Sequence, residues 1–258
     1  MEQQSNTKYS FMPILPDAIG SNKSKKSDAY LFLRSLPKFS YISEEDLNTL
    51  AVSSRFETFE SGKYISNEGD ERNTFGFILQ SGCIAMSKHS SNGKELIVEL
   101  LQAGDSFGLL LNLAKDRLPI QLSARSIQKS RILWISLSDF SLVLHSNPLI
   151  FQQIVSHLLL CLFSSYNISR GLAHDHVEVR IASVLISLAY KFDNIPRESK
   201  NPIIYFTRQQ LADLTGTTPE TAIRVTRAMQ KEGLIDISRP GIIKILKMER
   251  LKEISDCL

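Results

Sequence analysis

The chain has little with which to cross-link itself or capture a metal. Its three cysteines, Cys83, Cys161 and Cys257, lie far apart in sequence. None belongs to a CxxC pair or to a Cys/His ligand spacing, so neither a disulfide framework nor a zinc site is implied. An iron–sulfur cluster of the usual kind needs four cysteines. Three scattered thiols fit a reducing cytoplasm, which is the expected location. No Ser/His/Asp set, P-loop or Gly-rich dinucleotide loop is present, so no enzymatic activity is expected. The N-terminus lacks the basic-then-apolar pattern of a secretion signal. Residues 1–28 mix Ser, Asn, Gln, Lys and Pro, and read as a flexible tail.

An excess of charge of one sign is also missing. The 30 basic and 27 acidic residues leave a net charge of +3, which excludes a strongly basic nucleic-acid coat. With 43% apolar and 22% charged residues the composition is that of a soluble globular protein. The 258 residues allow one large domain or two small ones. The distribution of charge says more than its total. Residues 1–40 and 200–258 each carry net +3, and the stretch between them carries net −3. A basic end after an acidic middle suggests a division of labour.

A third scarcity is local: from Phe140 to Ser169 there is no Asp, Glu, Lys or Arg. The stretch does hold Asn147, Pro148, Gln152, Gln153 and Asn167. Its apolar centre, Ile154 to Phe163, is shorter than the roughly 20 residues needed to cross about 30 Å of hydrocarbon. No membrane partner is expected. Phe151, Val155, Leu158 and Leu162 form one stripe of a helix, and Ile150, Ile154, Cys161 and Ile168 an adjacent one. A helix apolar on two sides needs cover on two sides. The pattern suggests one stripe on the chain's own β-structure and the other on a second copy, making a homodimer.

Residues 29–51 read as helical, with Ser43 as an N-cap before Glu44, Glu45 and Asp46. From 55 to 136 the chain changes character. Seven of the twelve glycines fall between Gly62 and Gly108, punctuating short β-type runs. These are Phe56–Phe59, Tyr64–Ser66, Phe75–Leu79, Cys83–Lys88, Leu96–Leu101 and Arg131–Ile135. Asn92-Gly93 between two of them suits a type I′ hairpin turn. Many short strands suggest an all-β barrel or roll. Helical patterns return at Ser138, with Pro148 as a boundary or first-turn residue. Residues 178–192 form another helix, with Val179, Ala182, Leu185, Ile186 and Ala189 facing inward.

The most specific pattern lies near the C-terminus. Residues 207–214 read TRQQLADL, and Thr207 with Gln210 has the form of a capping box. Gly216 follows as a turn. Then Thr218 can cap a second helix, Pro219 suits its first position and Glu220 its first turn. Ala222, Val225 and Met229 make the inner face of that helix. Glu220, Arg224, Arg227 and Lys231 share the outer face. Two short helices around a Gly turn form a helix-turn-helix, whose second helix enters the major groove. Arg can take guanine O6 and N7, and Glu can accept from cytosine N4, so Glu220 and Arg224 are the candidate base readers. Arg208, Thr218, Thr221, Arg227 and Lys231 are candidates for backbone contacts. Leu234–Ser238, the Arg239-Pro240-Gly241 turn and Ile242–Leu246 read as a β-hairpin wing.

β-roll, long helix and winged helix-turn-helix, in that order, resemble the Crp/Fnr family of bacterial transcription regulators over roughly residues 29–250. The run from Thr207 to Arg224 is similar to the family's recognition motif. GKYISNEGD at 62–70, FGFILQSG at 75–82 and QAGDSFG at 102–108 are similar to its sensor domain. The resemblance implies an α+β chain: a tail (1–28), a β-roll, or double-stranded β-helix, sensor domain (29–137), a dimerisation helix (138–175) and a winged helix-turn-helix domain (176–258). It implies a homodimer on palindromic double-stranded DNA, with RNA polymerase as a further partner if the protein activates. It implies that Glu220 and Arg224 read bases. One branch of the family has Arg before that Glu, where Pro219 stands here. Another has Ser before the last Arg, where Ile223 stands here.

Family members that bind cyclic nucleotides place a Glu after the cassette Gly and an Arg-Ser or Arg-Thr pair further on. Here Leu109 follows Gly108, and the pair corresponds to Ile120 and Gln121. Leu and Ile can pair with neither a hydroxyl nor a phosphate, so cyclic AMP is not the expected effector. Phe107, Gly108, Leu109, Leu110, Gln121 and Arg125 are the candidate effector pocket. Its apolarity leaves haem or another apolar effector as an alternative, with His89, His145, His157, His174 and His176 as conceivable axial ligands. A rival reading is a ligand sensor whose C-terminal domain meets a protein instead of DNA.

Overall fold

Alternation along the strands sorts the interior into three layers. The computed structural model describes residues 27–70, 74–109, 120–192 and 201–255. The expectations for residues 1–26 and for Leu110 lie outside them. Among the described residues eight strands build the roll: β1 (Arg55–Phe59), β2 (Tyr64–Ser66), β3 (Phe75–Ser81), β4 (Ile84–His89), β5 (Glu95–Leu101), β6 (Ser106–Phe107), β7 (Ser123–Ser126) and β8 (Ser130–Ser136). They pair antiparallel as two four-stranded sheets, in the orders β1-β8-β3-β6 and β2-β7-β4-β5. Side chains alternate between faces of a strand. Phe77, Leu79, Ile84, Met86, Leu101, Ala124, Ile132 and Trp134 thus point between the sheets. Ile78, Leu133 and Ile135 take the outer face of the first sheet. Cys83, Ala85, Ile97 and Leu100 belong to the outer face of the second.

Helices cover both outer faces. On the first sheet lie α1 (Asp28–Ser35), a 3-10 turn at Pro37–Phe39, α2 (Glu44–Val52) and α3 (Leu137–Ser146). Ser43 caps α2 as expected, accepting from the Asp46 N–H at 3.1 Å. Residues 29–51 are therefore two helices and a turn. The Asn92-Gly93 turn is longer than the two-residue hairpin expected. His89 pairs with Glu95, Gly93 N–H bonds Ser90 O and Ser90 N–H bonds Lys94 O, each at 2.9 Å. Gly93 takes the left-handed conformation there, at φ 79°, and with these bonds fits a type I turn closed by a G1 bulge.

Pro148 opens a new helix, α4 (Pro148–His174). Of the two stripes on α4, Ile150 is buried and Ile154 packs with the helical layer. Cys161 and Ile168, further along the same stripe, are half-buried. Phe151, Val155, Leu158 and Leu162 of the other stripe are exposed, by 38–50%. As a whole, α4 has the length and apolarity of a membrane span, which its short apolar centre did not suggest. Its surroundings argue otherwise. A 27-residue span separates its ends by about 40 Å, yet β5 before it and the helices after it share one apolar core. A bilayer crossed by α4 would pull those elements to opposite sides.

That core joins the second sheet to α5 (Val177–Phe192), α6 (Arg208–Thr215), α7 (Pro219–Lys231) and α8 (Met248–Ser255). A three-stranded sheet in the order β10-β11-β9 completes the wing, from β9 (Ile203–Ile204), β10 (Ile235–Asp236) and β11 (Ile243–Ile245). On α5, Ala182, Leu185 and Ala189 are buried as expected, and Ile181 and Leu188 join them.

Candidate nucleic-acid interface

The helix-turn-helix is built by its caps. Thr207 Oγ1 accepts from Gln210 N–H at 3.1 Å, and Gln210 Oε1 accepts from Thr207 N–H at 2.8 Å. This is the expected capping box. Gly216 ends α6 in the left-handed region, at φ 59° and ψ 40°. Its Cα hydrogen faces α4: a Cβ there would lie 2.5 Å from Leu172 Cδ2. Thr218 caps α7, accepting from Thr221 N–H at 3.3 Å, and its hydroxyl donates to Thr221 Oγ1 at 3.2 Å. Pro219 is the first residue of α7, where its missing N–H costs nothing.

Ala222 and Met229 seat α7 as expected, while Val225 is only half-buried. Thr226 is fully buried and was not anticipated; its hydroxyl is satisfied by Ala222 O at 2.7 Å. Glu220, Arg224, Arg227 and Lys231 are all exposed, on one continuous face. The Glu220 carboxyl is held below its ordinary range chiefly by its own backbone N–H. It therefore stays ionised, an acceptor aimed from the first turn. Arg208 is half-buried at the start of α6. In the wing, Arg239 is exposed at the turn and Lys244 is half-buried on β11.

Several residues that fix this unit left no motif in the sequence. Arg180 on α5 donates from Nε to Thr215 O and from Nη1 to Asp175 O, both at 2.9 Å. It thereby ties the end of α6 to the joint between α4 and α5. Asp213 on α6 is buried, and burial pushes its carboxyl up despite the Gln209 amide 2.8 Å away. Glu95, Arg125 and His89 of the sensor sheet act on it as well.

The described candidate effector residues do not form one lining. Phe107 faces the interior of the roll with Phe77, 5.9 Å between ring centroids. Leu109, beyond Gly108, is buried in the helical layer instead. Ile120 is buried and Gln121 exposed. Arg125 pairs with Glu95 at 2.7 Å. Its neighbour Ala124 points into the roll, so Arg125 lies on the opposite face, toward α6. The histidines are dispersed: His89 ends β4, His145 lies in the last turn of α3, His157 is within α4, His174 ends α4 and His176 follows it.

A sensor roll, a long apolar helix and a capped helix-turn-helix with a wing define a DNA-binding transcription regulator. Two family models match the chain: a cyclic nucleotide-binding domain over residues 56–147 and a Crp-like helix-turn-helix domain over residues 179–254. The cyclic AMP receptor protein of Thermus thermophilus is 24% identical over 226 residues, covering 86% of this chain and 98% of that protein. The anaerobic regulatory protein of Bacillus subtilis is 25% identical over 227 residues, covering 88% and 94%. The chain belongs to the Crp/Fnr family of transcription regulators. Among solved structures, the c-di-GMP responsive regulator CLP of Xanthomonas campestris shares the fold with a TM-score of 0.67 at 19% identity, over 79% of this chain and 99% of that one. FixK2 of Bradyrhizobium japonicum does so with a TM-score of 0.67 at 16% identity, over 80% and 98%.

Proposed function

We propose that the protein is a homodimer that binds a palindromic DNA site through two copies of α7, under control of its β-roll. The observation that carries this reading is the exposed face of α7, with Glu220 and Arg224 one turn apart beyond a double cap. In this reading Arg224 takes a guanine, and the ionised Glu220 accepts from a cytosine amine. Arg208, Thr218, Thr221, Arg227 and Lys231 fix the register on phosphates. Thr218 and Thr221 act in part through the cap they share, so the Thr221 N–H and both hydroxyls serve the helix N-terminus first. The uncovered stripe Phe151, Val155, Leu158 and Leu162 on α4 supports the dimer. Two such stripes would hide each other, setting half-sites about one helical turn apart.

Cyclic AMP is not the effector in this reading. Leu109 stands where a ribose-binding carboxylate is needed, and Ile120 where an arginine must meet the phosphate; both are buried apolar groups. RNA polymerase is a partner if the protein activates, and the cytoplasm is the place of action. The test is titration of the full chain with random and palindromic duplexes at several salt concentrations. Phosphate contacts predict an affinity that falls steeply with salt. Absence of duplex binding at low salt would favour a protein partner for the C-terminal unit.

A further inference from the structure

A cavity of about 720 Å³ opens where the sensor, the long helix and the DNA-reading unit meet. Its size is that of a small-molecule site. One wall is β5, through Ile97 and Leu100; the others are the second half of α4, α5 and the end of α6. It opens on the outer side of the second sheet and reaches Val98 and Leu122 at the edge of the roll interior, which Phe77, Leu79, Met86 and Trp134 fill.

The chemistry of the lining is lopsided. Apolar side chains such as Ile168, Val184 and Leu188 hold the middle. Arg180 and Lys191 mark the two ends, about 16 Å apart along α5. Several donors around the cavity are already committed to main-chain carbonyls, while Arg170 and Asn167 line it as well. Arg180 bonds Thr215 O and Asp175 O, and Lys191 Nζ bonds Leu100 O. Ser183 bonds Val179 O at 2.9 Å and Ser165 bonds Cys161 O at 3.0 Å. Of the two carboxylates in the lining, Glu99 accepts from Cys161 Sγ at 3.8 Å, whereas Asp175 Oδ1, at the joint of α4 and α5, is buried without a hydrogen-bond partner. A buried carboxylate oxygen left unpaired is costly, and a charged donor is what compensates it best.

We propose that this cavity is an effector site for a small amphipathic primary amine, its ammonium on Asp175 and its apolar body between β5 and α5. Because α6 supplies Leu214 and Thr215 to the wall, occupancy biases how the helix-turn-helix sits on the sensor. That last link rests on the DNA-binding reading; binding of the amine does not, and is measured without DNA.

The probe is 2-phenylethylamine, titrated calorimetrically into the full chain, with 2-phenylethanol and 3-phenylpropanoate as neutral and anionic counterparts. The expected result is saturable binding of one amine per chain, about tenfold tighter than the alcohol, with no binding of the carboxylate. Asp175→Asn brings the amine down to the level of the alcohol. Ser187→Trp, at an exposed position on the rim, fills the cavity and abolishes binding of both while leaving the circular dichroism spectrum unchanged. Carboxylate binding as tight as that of the amine, amine binding indifferent to Ser187→Trp, or no saturable amine binding below about 5 mM overturns the proposal. A chain that binds duplex but no amine loses only this site. A chain that binds amine but no duplex keeps the site and loses the regulator reading.

Discussion

Replacing Gly216 by alanine tests the junction between helix-turn-helix and α4 at a single atom. Two costs add. The left-handed conformation at φ 59° penalises an L side chain by about 1–2 kcal/mol. The new Cβ would also stand 2.5 Å from Leu172 Cδ2, while Leu96 Cδ1 at 3.6 Å is ordinary contact. Leu172 is 39% exposed, so its side chain can rotate away, at about 1 kcal/mol for leaving its rotamer. The total is about 2–3 kcal/mol, read by urea denaturation as a lower midpoint at unchanged slope. The two parts separate in a double-mutant cycle. In a Leu172→Ala background the steric part vanishes, and Gly216→Ala costs only the conformational 1–2 kcal/mol. All four proteins are compared at one concentration, because dimerisation would shift apparent stability. Equal costs in both backgrounds would mean that α4 does not touch the turn. A cost below about 0.5 kcal/mol in the wild-type background would refute the left-handed turn itself.

Arg224→Ala should weaken binding to a matched palindrome by about 1–3 kcal/mol and relax one base position; equal loss on all sequences would reassign Arg224 to phosphate. Cys83 is buried and its thiol is pushed up to about 12 by that burial. Peptide mapping after thiol labelling at pH 8 should therefore find it unmodified in the native chain and modified after urea. Burial lowers Lys38 to about 8, with Asp105 pulling the other way. Between about pH 8 and 10.5 the unfolded chain then holds a proton that the folded one lacks. Stability of the wild type relative to Lys38→Met should rise with pH across that window, and a flat difference would refute the shift. Leu158→Lys on the exposed stripe of α4 should produce monomers in sedimentation at micromolar concentration, with the helical content kept.

The elements that announce themselves by local chemistry were legible. The capping box at Thr207, the Thr218-Pro219 start and the period-two runs of β3, β4 and β5 depend on neighbours three or fewer residues away. The two-stripe reading of α4 was legible for the same reason, since a helix shows its faces every three or four residues. Strands of two residues, such as β6 and β9, carry too little pattern to be seen. The side of the sheet on which Arg125 falls was hidden as well. It depends on registry, Arg125 opposite Tyr64 and Ala85, which only pairing reveals. The junction around Asp175, Arg180 and Thr215 joins residues up to 40 positions apart through main-chain carbonyls, which no sequence pattern records.

The apolar core shared by β5 and α6 makes the protein a poor subject for dissection. A fragment cut before α5 would carry Leu211 and Phe206 without Ile97 and Leu100, and the remaining roll would bare those two in turn. Each piece would have a sticky flank that the whole molecule never shows. The DNA-reading unit is thus less a passenger on a tether than a bracket bolted to the sensor's outer wall. A tilt of that wall would therefore reach α7 through packed side chains and not only through the chain that links them.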